Sequence, residues 1–147
     1  MAERISRAKE QLSARLPADV VETLDRFQPQ INRTETLERD LSRHYSLLAT
    51  AKQELRERFS DEELNLVMEA CNGWMVQSHI HYLWAEVANA IRLKKLDEVW
   101  GVRSPDELVG RLRELHLYEL IAMEDAILTF WHDANSTLDV AFGMDAP

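Results

Sequence analysis

Apolar side chains recur along this chain at steps of three and four, the spacing that lines one face of an α-helix. Ile5, Ala8, Leu12 and Leu16 mark a first helix over residues 3–16, closed by Pro17. Pro17 suits the start of a short second helix carrying Val20, Val21, Leu24 and Phe27, which Pro29 limits. From about residue 31 to 58, Leu37, Leu41, His44, Leu48, Ala51 and Leu55 share one face of a longer amphipathic helix.

Ser60 followed by Glu63 has the form of a capping box and predicts a new helix with Leu64, Val67, Met68 and Cys71 on its buried side. Asn72-Gly73 marks its end or a kink. Residues 74–95 resume with Val76, Ile80, Leu83, Trp84, Val87, Ala90 and Ile91, the arc of a central helix. Ser104-Pro105-Asp106-Glu107 places an N-cap, proline at N1 and glutamate at N3, so a helix begins at Pro105 and buries Leu108, Val109, Leu112 and Leu115. After a break near His116, residues 118–132 form a last helix around Leu120, Ile121, Ile127, Leu128 and Trp131. The tail from Asp133 to Pro147 has no clear period, which leaves it loose or laid along the bundle. The expectation is an all-α, single-domain bundle of five or six helices over residues 1–147. Its core is residues 60–132, with amphipathic N-terminal helices in 1–58.

Composition sharpens this picture. At 147 residues the chain has the length of one domain, and four glycines and four prolines favour long helices over strands and turns. Cys71 is the single cysteine, so no intramolecular disulfide forms and a reducing, cytoplasmic setting is expected. The N-terminus mixes both charge signs and lacks the apolar run of an export signal. The longest stretch free of Asp, Glu, Lys and Arg, Ala70 to Ala85, is too short for a membrane span.

Net charge is −9, unevenly placed. Residues 1–58 hold 11 basic and 10 acidic side chains, a net of +1, while residues 59–147 hold 6 and 16, a net of −10. Such a field repels phosphate backbones and steers a basic partner inward. The segment Leu96 to Ser104, followed by a capped helix, has the outline of a helix-turn-helix, but its second helix carries Asp106, Glu107 and Glu114 against Arg111 and Arg113. Direct nucleic-acid binding is therefore not expected.

Several polar residues sit where the helical period places apolar ones. Glu124 is enclosed by Leu120, Ile121, Ile127 and Leu128 and is expected to be at least partly buried. His44 falls within the 37–55 stripe, and His79, Tyr82, Glu86 and Asn89 form a polar seam on the central helix. His44, His79, Glu86 and Glu124 are accordingly the candidate metal or acid–base residues of a helical-bundle enzyme, the alternative reading. Against it, no Glu-x-x-His, Gly-rich phosphate loop, Gly-x-Ser-x-Gly or His-Glu-x-x-His occurs. His79 and His81 also point about 200° apart on a helix. Cys71, beside Val67 and Met68, is expected to be a buried structural thiol.

The preferred reading is an acidic protein–protein interaction module with a regulatory, adaptor or inhibitory role, an acidic nucleic-acid mimic used against host defences being a narrower form. It needs no cofactor, and its partner is a protein with a basic surface, with self-association as a further option. Asp61, Glu62, Trp74, Asp97, Glu98 and Asp106 are the candidate partner-binding residues. Trp74 is chosen because it follows the Asn-Gly break and faces away from the apolar arc.

Overall fold

The computed structural model describes residues 33–72 and 80–144, together with Ala18. The fold is all-α: the described residues hold seven α-helices and no strand. The two helices expected before residue 28 lie outside them. Among the described residues no helix is long and apolar enough to cross a membrane. The chain divides into two compact units, Met1–Ser46 and Leu47–Pro147.

Helix α1 (Arg33–Arg58) is the long amphipathic helix that the period predicts. In the first unit it buries Thr36, leaves Leu37, Leu41 and His44 half-buried, and exposes Tyr45, whose ring meets His44 edge-on at 5.5 Å. In the second unit the same helix contributes Leu48, Ala51 and Leu55 to the core, followed by Phe59.

Helix α2 (Asp61–Ala70) starts at the expected capping box and buries Leu64, Leu66, Val67 and Met68 almost completely. The helix expected over 74–95 is shorter in its described part. Ile80–Tyr82 form a 3-10 turn, and α3 (Leu83–Lys94) begins only at Leu83. Tyr82, at φ −103° and ψ 16°, lies off the helical basin. Side-chain spacing does not register this, because a 3-10 turn also sets residues i and i+3 side by side. Lys95 then takes a left-handed conformation, φ 52°, and separates α3 from the short α4 (Leu96–Trp100).

Gly101, at φ 70°, ends α4, and α5 (Pro105–Arg113) begins at the expected proline. Helix α6 (Leu117–His132) buries Leu120, Ala122, Met123, Ala126 and Ile127. Its buried face is turned from the expected one: Glu119 is 4% exposed, whereas Trp131, expected in the core, is 42% exposed. Ala122 and Ala126 face the core and are fully buried.

The described part of the tail, to Met144, is anchored. Thr137 caps α7 (Leu138–Ala141), and Phe142 behind it is fully buried. Gly143, at φ 74°, lets the Met144 N–H reach the Asp139 carbonyl at 2.7 Å and closes the helix. Helices α3 and α5 pack together, α2 packs on α3 and α4, and α7 packs on α6 and α2. Lys52 pairs with Asp125, and Arg56 bridges Asp61 (2.5 Å) and Asp139 (3.1 Å), tying α1 to α6, α2 and α7.

Candidate interaction surface

Glu62, Asn65, Glu69 and Asn72 recur at steps of three, four and three and so share the outward side of α2. Two tryptophans from distant elements are fastened along it. The Lys95 turn and the packing of α4 on α2 bring Trp100 to Glu69, whose carboxylate accepts its indole N–H. Trp131, in the last turn of α6, donates its indole N–H to the Met68 carbonyl at 2.9 Å. That carbonyl is left over at the C-terminus of α2, because the Asn72 N–H bonds to the Glu69 carbonyl instead. Phe130 meets the Trp131 ring edge-on at 5.1 Å. Met68, Trp100, Phe130 and Trp131, with Asn65, Glu69 and Asn72, enclose an open groove of about 400 Å³.

A second open groove, of about 620 Å³, is also lined by Trp100 and lies between the starts of α2 and α5. Its walls include Glu62, Glu63, Arg103, Glu107 and Arg111. Arg111 is committed within it. Its guanidinium bonds Glu63, donates to the Arg58 carbonyl at 3.1 Å and lies 4.9 Å from the centre of the Phe59 ring. The glutamates on this surface thus fall into two kinds. Glu63 and Glu69 hold the frame together, while Glu62 and Glu107 are exposed and make no ion pair among the described residues.

Glu62 lies in the second groove, and Asp97 and Glu98 lie on α4 just before Trp100. Asp61 is exposed but bound to Arg56, which offsets its charge. Asp106 sits in the first turn of α5, beside a smaller hollow with Ile91 and Val109. Trp74 lies outside the described residues. Trp131, which the helical period places with Leu120, Ile127 and Leu128, lines this surface 42% exposed, while Trp100 is half-buried against the core. Their indole partners are remote in sequence and leave no local signal.

Of the candidate metal residues, His79 lies outside the described residues, His44 belongs to the first unit, and Glu86 and Glu124 to the second. Among the described residues no group of three His, Cys, Asp or Glu side chains could hold a metal ion. Glu124 is half-buried, and burial, with the neighbouring Asp125 charge, raises its pKa above the ordinary carboxylate value. Cys71 is 1% exposed, and burial, reinforced by the Glu86 charge, pushes its thiol up to about 12. A thiol held protonated at neutral pH is a poor nucleophile.

Compared with known proteins, the chain matches no family model, no curated protein and no solved structure.

Proposed function

We propose that this chain is an acidic helical protein–protein interaction module, regulatory, adaptor or inhibitory in role, whose partner presents a basic surface. The observation that carries the reading is how charge is used in the second unit. Lys52, Arg56, Arg58 and Arg111 are each bound to a carboxylate of the same unit, so several cations are spent on holding the helices together. Glu62, Glu98, Asp106 and Glu107 remain exposed without an ion pair among the described residues. Residues 47–147 hold 9 basic and 18 acidic side chains, a net of −9, so carboxylates outnumber cations on this unit two to one. Tethered aromatic rings beside these acids supply the apolar contact that charge alone lacks, since tryptophan dominates binding hot spots.

The test is affinity purification of tagged protein from source cells, followed by association kinetics with the captured partner. A basic protein should be retained. Its on-rate should fall with salt, and with Glu62→Lys, Glu98→Lys and Asp106→Lys combined, far more than its off-rate rises. Capture of no protein, or kinetics indifferent to both changes, would reduce the acidity to a means of keeping the chain dispersed.

A further inference from the structure

Resting on that reading, we infer that the groove of Met68, Trp100, Phe130 and Trp131 seats the apolar anchor of a basic protein segment. Its volume of about 400 Å³ falls in the range of pockets that enclose a ligand group. The walls are set before anything binds. Trp131 is held by the Met68 carbonyl and Trp100 by the Glu69 carboxylate, so neither ring must be ordered on docking. Trp131 nevertheless keeps 42% of its surface exposed, more than a residue serving only the core would leave in water.

Charge selects the occupant. Glu69 lies in the groove, Glu62, Glu63 and Glu107 outnumber Arg103 and the Glu63-bound Arg111 in the adjoining one that shares Trp100, and Asp97 and Glu98 precede Trp100 on α4. Lys or Arg side chains flanking an apolar anchor would meet these carboxylates and could lie on the indole faces. A nucleic-acid strand would also find aromatic faces, but its phosphates would meet a region of net −10. A second copy of this chain would bring the same negative field to the same place. A basic segment satisfies both the rings and the carboxylates.

The test is selection of random peptides displayed on phage against the immobilised full chain, with the enriched peptides then synthesised and titrated by fluorescence polarisation. Enriched sequences should combine Lys or Arg with one Leu, Met, Phe or Trp. Trp131→Ala should weaken them by roughly tenfold or more. Trp131→Phe, which keeps a ring but loses the indole N–H, should fall between that variant and the parent. Circular dichroism of both variants should match the parent. If Trp131→Ala proves unfolded, Trp131→Phe together with Glu69→Gln decides: unchanged binding in both overturns the proposal. It is equally overturned if no basic peptides are enriched, if enriched peptides bind Trp131→Ala as well as the parent, or if the groove proves to be a contact between copies of the chain. A cellular partner that still binds Trp131→Ala with salt-sensitive kinetics would leave the interaction module standing and remove this groove from it. Loss of every cellular partner from the parent protein would instead remove the module.

Discussion

At the start of α2, Ser60 Oγ accepts from the Glu63 N–H at 3.1 Å, and Glu63 reaches back to the Ser60 N–H at 2.9 Å. At the start of α6 an imidazole takes the serine's place: His116 Nδ1 accepts from the Glu119 N–H at 3.4 Å, and Glu119 accepts from the His116 N–H at 3.3 Å. Each glutamate also receives a guanidinium from another helix, Arg111 on Glu63 and Arg58 on Glu119. Arg111 links the two, because it also bonds the Arg58 carbonyl. The difference in depth is modest: the Glu63 side chain is 13% exposed and the Glu119 side chain 6%. The same local device therefore does two jobs: at α2 it chiefly starts a helix, and at α6 it chiefly fastens α1 to the core.

The largest effect should separate these jobs. Glu119→Ala removes a cap contact and the partner of Arg58. Because Arg58 is 46% exposed and can turn to water, the loss should stay below that of a fully buried pair, at about 2–3 kcal/mol. Glu63→Ala should cost slightly less, about 1–2 kcal/mol, since its side chain keeps 13% of its surface in water against 6% for Glu119. Urea denaturation of both variants measures this. Equal losses would mean that the burial of Glu119 adds nothing.

Removing the cap acceptor alone is the next step down. Ser60→Ala should destabilise by about 1 kcal/mol, the ordinary value for an N-cap hydroxyl. His116→Ala, which also removes the Nε2 contact to Glu119 at 3.1 Å, should still cost less, about 0.5 kcal/mol, because its accepting bond is longer and the imidazole is 69% exposed. Thermal unfolding of the pair ranks them, and a larger loss at His116 would make the imidazole the stronger anchor.

Glu124 offers the contrast of a half-buried carboxylate with no cation on it among the described residues. Its folded pKa is raised by burial and by Asp125. A raised carboxylate pKa means that the folded state binds the proton more tightly than the unfolded chain. The ionised group therefore costs stability above the folded pKa, and the cost disappears as pH falls below the unfolded value. Glu124→Gln should accordingly gain under about 1 kcal/mol at neutral pH, after solvent screening, and nothing in acid. A gain that persists unchanged in acid would show that the substitution acts through packing instead.

The features legible in the sequence are those decided within a few residues. Ser60 with Glu63 and Pro105 announce helix starts, and both starts stand where expected. The stripe ending Leu48, Ala51, Leu55 is buried as the period requires. The burial of Glu119 has no local sequence signal, because its depth depends on Arg58, 61 positions away, and because His-x-x-Glu does not resemble the usual Ser-x-x-Glu. The phase of α6 was ambiguous for a related reason. Leu120, Ile121, Ala122, Met123, Ala126, Ile127 and Leu128 put apolar residues on most of its circumference. Which side is buried is then set by the packing partners, here in favour of the small Ala122 and Ala126. The groove was invisible because the partners of its two indoles lie 31 and 63 residues away. Phe142 was hidden in the same way, since no period surrounds a four-residue helix.

The smallest effect is expected where the sequence cue is strong and the bond is missing. Ser104, followed by Pro105 and Glu107, reads as a capping box as clearly as Ser60 does. Yet at φ −127° and ψ 72° its hydroxyl makes no cap bond, and it stands exposed in the wall of the larger groove. Helix α5 still begins at Pro105, because a proline at N1 has φ preset for the helix and no N–H to satisfy. Ser104→Ala should therefore change stability by no more than about 0.3 kcal/mol, within the range of ordinary surface substitutions. Ser60→Ala, measured alongside, should lose about 1 kcal/mol. A comparable loss at Ser104 would mean that its hydroxyl turns onto the α5 N-terminus in solution. The second unit would then hold four capped starts, those of α2, α6 and α7 being the others, and the start of α5 would rest on its serine as well as its proline.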